Sequence, residues 1–186
     1  MISLPDFERQ SLAHMEAAYN LAYWLVRDRD DAQDIVQDAY LRAFRAYDRT
    51  TSDDIKPWLL TIVRNVAYRW LSVRKRSGNV ISFEDALSAR EGDEDRLLEV
   101  PSEAPSAEDI LLSRADQSLV RNALAELPPA FREVIVLREL EGLSYQEIAS
   151  VVGVPVGTVM SRLSRARDQL REYLRDLLEK EARNAL

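Results

Sequence analysis

The chain has 186 residues and a formal net charge of -7, which leaves room for one medium domain or two small ones. It has no cysteine and 1 histidine, so disulfides and thiolate metal sites are excluded and an imidazole-based metal or catalytic site is disfavoured. No apolar run approaches the length of a membrane span, and residues 1–10 carry acids where a signal peptide is basic and then apolar. We therefore predict a cytoplasmic protein without direct membrane insertion.

The N-terminal part is predicted to be helical throughout. Phe7–Arg27 is rich in Ala, Leu and Tyr and contains neither Gly nor Pro, which favours one continuous helix. A second helix, capped by Asp30 or Asp31, runs to about Tyr47. A polar loop follows, and Pro57–Arg76 forms a third helix with the proline in its first turn.

The second helix divides into a buried side and a mixed polar side. The buried side is predicted to contain Ala32, Val36, Ala39, Tyr40, Ala43 and Tyr47. The other side presents Asp34, Gln37, Asp38, Leu41 and Arg45. An exposed leucine among acidic and amide groups suits an interface with a basic protein partner. The alternative is a solvated face that carries one stray leucine.

The third helix also has two faces. Its buried stripe is predicted to contain Leu59, Ile62, Val63, Val66 and Trp70. The opposite side carries Thr61, Arg64, Asn65, Tyr68, Ser72 and Lys75, with Arg69, Arg74 and Arg76 nearby. Basic and amide groups beside an exposed aromatic ring suit single-stranded DNA, because bases stack and phosphates attract cations. The alternative is a solvated face whose tyrosine covers the core.

The middle of the chain reads as an acidic linker. Ser77–Ala107 contains two glycines, two prolines and a dense acidic run without a sustained period, so we expect it to be flexible. Residues 77–118 carry a net charge of -8, whereas residues 1–76 carry +1 and residues 119–186 carry 0. The near-neutral flanks should bind DNA weakly alone, because neutralisation of phosphates supplies much of the affinity.

The C-terminal part is predicted to contain four helices, and no internal repeat or strand-like alternation is present. These helices span about Ala107–Leu127, Pro129–Leu140, Tyr145–Val152 and Val156–Glu181. Ser144 with Glu147 predicts a capping box at the start of the third, and Gly153 predicts its left-handed end. Pro155 then favours a new helix close by. This arrangement is typical of a helix-turn-helix.

The last helix is predicted to have an apolar back and a polar front. The back contains Val159, Leu163, Ala166 and Leu170. The front contains Thr158, Ser161, Arg162, Arg165 and Gln169. Hydroxyl, guanidinium and amide donors suit base edges and phosphates in a major groove. The alternative is a solvated face on an ordinary helical hairpin.

Three segments, taken in order, resemble a known family. They are DAQDIVQDAYLRAF (31–44), PWLLTIVRNVAYRWLSVRKR (57–76) and LPPAFREVIVLRELEGLSYQEIASVVGVPVGTVMSRLSRARDQL (127–170). Together they are similar to bacterial RNA polymerase sigma factors of the extracytoplasmic-function (ECF) subfamily. The resemblance implies an all-α fold with two small helical domains, region 2 over 1–76 and region 4 over 118–181. A flexible acidic linker, 77–117, would join them and run near the RNA exit path.

The resemblance also implies a role for each face. Asp34, Gln37, Asp38, Leu41 and Arg45 would bind the clamp helices of the polymerase β′ subunit. Thr50–Lys56 would receive a flipped-out base of the minus-ten element. The separated strand would then be followed by Arg64, Asn65, Tyr68, Arg69, Ser72, Arg74, Lys75 and Arg76. Region 4 would sit on the β flap tip and read the minus-thirty-five element through Val156–Arg171.

Three positions depart from the family pattern. Many members carry an acid at the position of Arg69 and a basic residue at Ser72, so the minus-ten specificity is expected to differ. Many also carry a lysine at the position of Met160, so one phosphate contact is expected to be missing. We expect no large C-terminal sensory domain, no cofactor, no metal and no small-molecule substrate. Control would come from synthesis or from a protein partner, in this family commonly an anti-sigma factor.

Other classes of function fit less of the sequence. A free-standing dimeric helix-turn-helix regulator would leave the two N-terminal faces unexplained and would need a more basic DNA-binding part. A helical adaptor that binds only proteins would give the polar front of the last helix no purpose. An enzyme is least favoured, because no nucleophile, phosphate-binding loop or acid pair stands in a catalytic context.

Overall fold

The computed structural model describes residues 4–47, 54–76 and 118–184, and the regular elements within these ranges are helices. The N-terminal helices are α1 (Leu4–Leu12), α2 (Met15–Val26), α3 (Arg29–Ala46) and α4 (Ile55–Arg76). The C-terminal helices are α5 (118–126), α6 (Pro129–Ile135, continued by a π-helical turn at Val136–Leu140), α7 (Tyr145–Val152) and α8 (Val156–Asn184). None of the helices in these ranges is both long and apolar enough to cross a membrane.

The predicted continuous helix Phe7–Arg27 is wrong, because the chain breaks between α1 and α2. The backbone N–H of His14 donates to the carbonyl of Ser11 at 3.0 Å, which closes a turn. The break lets α1 fold back so that Phe7 packs edge-on against the rings of Tyr40 and Tyr47, the latter at 5.2 Å between centroids. The turn at residues 12–14 contains neither glycine nor proline. We therefore attribute the position of α1 to the packing of the Phe7 ring.

The N-cap of α3 is Asp28, and not Asp30 or Asp31 as predicted. Arg27 adopts the left-handed conformation at φ 60° and ends α2. The side chain of Asp28 then accepts hydrogen bonds from the backbone N–H groups of Asp30 and Asp31 at 3.0 and 3.1 Å. Asp30 and Asp31 therefore lie in the first turn, where their charges interact favourably with the helix dipole.

Helix α4 places the predicted stripe in the core. It begins at Ile55, so Pro57 lies in its first turn, where a missing N–H costs no hydrogen bond. Leu59 and Val63 are fully buried and Val66 nearly so, as predicted. Helix α4 packs against α2 and α3, and Leu59 joins Phe7, Ala43 and Tyr47 in a smaller cluster at one end.

Of the predicted helix Ala107–Leu127, residues 118–126 are helical and residues 107–117 lie outside the described residues. The other three C-terminal helices follow the prediction with two differences. Pro129–Leu140 is not a single α-helix, because Val136–Leu140 forms a wider π turn in which the N–H of Glu141 donates to the carbonyl of Val136 at 3.1 Å. Both halves of the predicted capping box at Ser144 and Glu147 are present, and Gly153 ends α7 at φ 73°. Helix α8 continues to Asn184, past the predicted end.

The two helical units share one hydrophobic core. Leu21 of α2 and Leu60 of α4 belong to the same buried cluster as Leu137, Ile148 and Leu163 of the C-terminal unit. Helices α6 and α7 reach this cluster by packing on α2 and α4, respectively. The C-terminal unit therefore covers part of the polar face of α4 that the sequence predicts to be open. The predicted linker, 77–117, lies outside the described residues.

Candidate functional site

Helix α3 brings the predicted protein-binding side chains onto one face. Asp34, Gln37 and Arg45 are exposed, and Leu41 is 58% exposed despite being apolar. Asp38 is half-buried, and its carboxylate accepts a hydrogen bond from Nε of Arg42 at 2.9 Å. Leu41 is therefore exposed among acidic and amide side chains, as predicted. This surface suits a partner protein that offers an apolar patch surrounded by cationic side chains.

The sequence analysis missed one residue of this α3 face. Phe44 is 46% exposed, and its ring stands edge-on to that of Phe7 with 5.5 Å between centroids. Phe44 follows Leu41 by three residues and Gln37 by seven, so helical spacing places all three along one side. This helical spacing is the sequence signal that could have identified Phe44 as part of the exposed face. The exposed apolar surface of α3 is consequently larger than one leucine.

The predicted strand-binding face of α4 is split in two by the fold. Asn65, Arg69 and Ser72 are exposed, whereas Arg64 and Tyr68 are half-buried beneath α6. Nε and Nη2 of Arg64 donate to the two carboxylate oxygens of Glu133, the second at 3.3 Å, and the guanidinium lies 4.5 Å from the centroid of the Tyr68 ring. The Tyr68 hydroxyl donates to the same carboxylate at 3.4 Å.

Near its C-terminal end, α4 contacts α3 through Arg74. Nη1 of Arg74 donates to the Asp31 carboxylate at 2.6 Å, and its guanidinium lies 4.7 Å from the centroid of a ring in Trp70. The side chains of Lys75 and Arg76 lie outside the described residues, as do residues 50–53 of the predicted base-binding loop. At the near end of α4, Nζ of Lys56 donates to the carbonyl of Glu141 at 2.7 Å.

Glu133 is an acid that the sequence analysis did not single out. It is 1% exposed and sits between the two helical units. Burial raises the pKa of Glu133, while hydrogen bonds from Arg64 and Tyr68 and the charges of Arg64 and Arg162 act in the opposite direction. The buried Glu133 carboxylate therefore interacts with both Arg64 and Arg162. The resemblance assigns Arg64 to the minus-ten strand and Arg162 to the minus-thirty-five element.

Helix α8 presents most of the predicted base-reading side chains. Ser161 and Arg165 are exposed, while Thr158 and Arg162 are half-buried. The Ser161 hydroxyl donates to the carbonyl of Thr158 at 3.0 Å, so this hydroxyl is already engaged within the helix. Met160 is 52% exposed beside them.

Gln169 differs from the other four predicted base-reading residues in the environment of its side chain. Its amide oxygen is buried and accepts no hydrogen bond from any described part of the chain. The side chain therefore points partly inward, and the exposed reading surface is concentrated over Thr158–Arg165 at the start of α8.

Comparison with known proteins gives this arrangement a family. A model of sigma-70 region 2 matches residues 12–77, and a model of sigma-70 region 4 matches residues 117–170. The chain is 35% identical over 154 residues to the ECF RNA polymerase sigma-E factor of Escherichia coli, which covers 81% of this chain and 77% of that protein. The chain belongs to the ECF sigma factors.

Two further relatives support this membership. The RNA polymerase sigma-H factor of Pseudomonas aeruginosa is 34% identical over 92% of this chain and 88% of its own length. The ECF sigma factor SigE of Mycolicibacterium smegmatis is 36% identical over 92% of this chain. The chain spans 63% of the length of that SigE, so the two proteins differ in extent.

Two solved structures, one of them of a sigma factor, have a similar fold. The sigma factor RpoE from Bartonella quintana, in complex with the anti-sigma factor NepR, superposes with a TM-score of 0.68 at 29% identity over 92% of this chain and 98% of that one. CnrH, in complex with the cytosolic domain of CnrY, gives a TM-score of 0.62 at 24% identity over 94% of this chain and 90% of that one. The second likeness concerns the fold.

The two family matches assign the helices of the chain to sigma factor regions 2 and 4. Region 2 contains α2, α3 and α4, so both N-terminal faces fall within it. Region 4 contains α5, α6, α7 and the part of α8 up to Leu170. The contact of Arg64 and Tyr68 with Glu133 is therefore a contact between region 2 and region 4.

Proposed function

We propose that this chain is a transcription initiation factor that binds core RNA polymerase and directs it to a specific set of promoters. The observation that carries the proposal is the presence of region 2 and region 4 in one chain, each with an exposed face of fitting chemistry. We assign 1–76 to region 2, 77–117 to a flexible linker and 118–181 to region 4. The polymerase, and not this chain, carries out the chemistry, and both act in the cytoplasm.

Core polymerase binding is assigned to α3. Its exposed surface combines Leu41 and Phe44 with the charges of Asp34 and Arg45. The apolar pair supplies the energy of a contact, while the charges supply orientation and exclude other partners. The expected partner is the clamp helices of β′, and the β flap tip is expected to hold region 4.

Promoter recognition is assigned to α4 and α8. Arg64, Asn65 and Tyr68 combine cation, amide and aromatic groups, which suits a separated minus-ten strand. Ser161, Arg162 and Arg165 at the start of α8 suit the major groove of the minus-thirty-five element. The exposed Arg69, Ser72 and Met160 stand at the points where this chain departs from the family, so we expect a promoter preference of its own.

An anti-sigma factor is the expected regulatory partner. The Bartonella relative is seen in complex with one. We expect such a partner to cover the α3 face and part of region 4, because the exposed Leu41 and Phe44 offer apolar surface to a competitor of the polymerase.

The experiment that tests the proposal is a pull-down with core polymerase followed by run-off transcription on a promoter library. We expect co-elution of the chain with the polymerase and transcripts from a subset of promoters with a common minus-ten and minus-thirty-five spacing. Core polymerase without the chain is the control. Failure to co-elute, or transcripts that do not depend on the chain, would exclude the proposal.

A further inference from the structure

Building on the proposed function, we propose that Met160 is a base-reading residue of α8 that contacts the 5-methyl group of a thymine in the minus-thirty-five element. Gly157 and Ser164, short residues on either side of Met160 along the helix, let this side chain reach the bases. Reading of the element then combines polar contacts with one apolar contact. The apolar contact selects thymine, because thymine alone among the four bases presents a methyl group in the major groove.

The first argument is the direction in which the start of α8 faces outward. Helix α8 packs on α6 and α7, and its residues Val159 and Leu163 are buried in the shared core. The exposed residues of this part of the helix recur at spacings of three and four, so they lie along one face. They are Gly157, Met160, Ser161, Ser164 and Arg165. The outward face therefore includes Met160, which the predicted polar front does not contain.

Two residues of the predicted front lie nearer to the body of the protein. Thr158 and Arg162 are half-buried on the neighbouring side of α8. The charge of Arg162 also interacts with the buried carboxylate of Glu133 in α6. Arg162 therefore lies at the edge of the outward face, whereas Met160 and Arg165 lie closer to its centre.

The second argument is a glycine that the fold does not require. Gly157 is exposed in the first turn of α8, and a Cβ atom added there would meet no atom within 4 Å outside its own stretch of helix. Its φ is not positive, unlike those of Gly142 and Gly153. Glycine is less favourable than alanine in a helix, so neither packing nor backbone conformation accounts for it. A duplex that approaches the helix backbone closely does account for it, because any side chain at this position would hold the bases away.

The third argument is the chemistry that the outward face offers. Met160 is 52% exposed, and the positions before and after it on this face are glycine and serine. The Ser161 hydroxyl already donates to the carbonyl of Thr158 at 3.0 Å. Met160 and Arg165 are therefore the side chains that extend from the face. An unbranched thioether chain adapts to an irregular apolar surface, and the thymine methyl group is the apolar group of the major groove.

The methyl contact is tested by replacing thymine with uracil, which lacks only the 5-methyl group and pairs in the same way. Thymines of the minus-thirty-five element found with the promoter library are replaced one at a time. Binding of each duplex to core polymerase with the full chain is measured at one salt concentration. We expect at least one replacement to weaken binding by about fourfold, the factor for losing one buried methyl group. Uracil placed between the two promoter elements is the control and should have no effect.

Variants at Met160 connect the uracil effect to this side chain. Met160→Gln keeps the length of the side chain but makes its end polar, so we expect it to bind thymine and uracil templates equally well. Met160→Leu stays apolar and should keep the preference for thymine. The control is Leu178→Ala, because Leu178 is 56% exposed on the same helix beyond the matched region. A uracil effect as large in Met160→Gln as in the wild type, or none at any thymine of the element, would overturn the proposal.

Close approach of the duplex is tested with Gly157→Ala. The added methyl group has room within the described chain, so the urea midpoint should not fall, whereas binding to thymine and uracil templates should weaken alike. Undiminished promoter binding in this variant would overturn the role of Gly157. Run-off transcription by the wild-type chain with core polymerase is measured first. Absence of transcripts that depend on the chain would defeat the proposed function, whereas normal transcription without a preference for thymine would defeat the methyl contact alone.

Discussion

Two adjacent buried charges, Arg132 and Glu133, have different kinds of partner. Arg132 is 2% exposed and donates to four backbone carbonyls, three in the segment 124–127 and one, that of Trp24, in α2. Burial, together with the charge of Arg27, lowers the pKa of Arg132 to about 10, so the group stays charged at neutral pH. Arg132 thus joins the turn between α5 and α6 to the backbone of region 2, whereas Glu133 contacts side chains of region 2.

Arginines at the start of α8 should contribute directly to promoter recognition. We expect Arg162→Ala and Arg165→Ala each to weaken transcription from a promoter that depends on its minus-thirty-five element, by about 1–3 kcal/mol where the arginine contacts a base. A phosphate contact would instead lower affinity for all sequences and reduce the salt dependence. Run-off transcription measures the effect. The control is Arg175→Ala, an exposed arginine beyond the matched region, and normal transcription in both variants would contradict the assignment.

Asn65 and Tyr68 should act after the strands separate. We expect Asn65→Ala and Tyr68→Ala to reduce open-complex formation more than initial promoter binding, because both side chains are assigned to a separated strand. A template with a pre-melted minus-ten bubble should restore much of the activity. Permanganate reactivity of unpaired thymines measures the opening. Defects of equal size on duplex and bubble templates would indicate that these residues act through packing alone.

At the scale of the element, the helix-turn-helix depends on two local devices. The capping box of Ser144 and Glu147 satisfies backbone N–H groups at the start of α7, and Gly153 provides the left-handed residue that turns the chain toward α8. Both devices act within a few residues. The start and the end of α7 are therefore encoded locally, and α7 buries Ile148 in the shared core.

The cap of α7 should be measurable in stability. We expect Ser144→Ala to lower the free energy of unfolding by about 1 kcal/mol. The hydrogen bond with Ser144 lowers the pKa of Glu147, so the stabilisation from this carboxylate is present above its ordinary pKa and is lost as the pH falls through the lowered value. Urea unfolding at several pH values checks both points. Ser150→Ala, exposed on the same helix, is the control, and an equal effect in it would contradict a capping role.

The exposed face of α3 should determine polymerase binding. We expect Asp38→Arg combined with Leu41→Ala to abolish co-elution with core polymerase and to leave the helical content intact, because both side chains lie on the surface or at its edge. The control is Glu16→Arg, which makes the same change of charge on an exposed site of α2. Gel filtration with core polymerase gives the result. Undiminished co-elution of the double variant would remove the assignment of this face.

At the scale of the whole molecule, the two regions behave as one packed unit. The hydrophobic cluster runs without interruption from α2 and α4 into α6, α7 and α8. Interfaces between domains of one chain are commonly polar at their margins and open more readily than a single core. Here the margins contain Lys56, Asn20 and Glu141. The described parts of the two regions are therefore joined by a shared apolar core with polar contacts at its margin.

The free chain should bind promoter duplex poorly. Residues 1–76 and 119–186 carry net charges of +1 and 0, so little affinity comes from phosphate neutralisation. A flexible linker would give only a modest effective concentration of the second region, whereas core polymerase would fix the spacing. Duplex affinity at one salt concentration, with and without core polymerase, measures the difference. Tight, specific binding by the free chain would favour an autonomous regulator instead.

The sequence by itself determined that the described parts of the chain are helical, where α7 begins and ends, and most of the side chains on each helix face. These features depend on residues three or four positions apart, which a single sequence displays directly. Three of the five predicted stripe residues of α4, Leu59, Val63 and Val66, are therefore buried, and the turn at Gly153 is found where predicted, while Ile62 and Trp70 are half-buried. Asp34 beside Leu41 and Arg165 on α8 are exposed, because their spacing separates them from the apolar side of each helix.

Only the tertiary structure decided what lies against these faces. The break before α2 follows from the packing of Phe7 on Tyr40 and Tyr47. The residues at the break include no glycine or proline from which it could be predicted. The partnership of Arg64 with Glu133 joins positions far apart in the sequence. A buried carboxylate in an amphipathic helix looks like any surface acid until its surroundings are known. Helical periodicity orients a side chain about its own axis, whereas its partner depends on how whole helices pack.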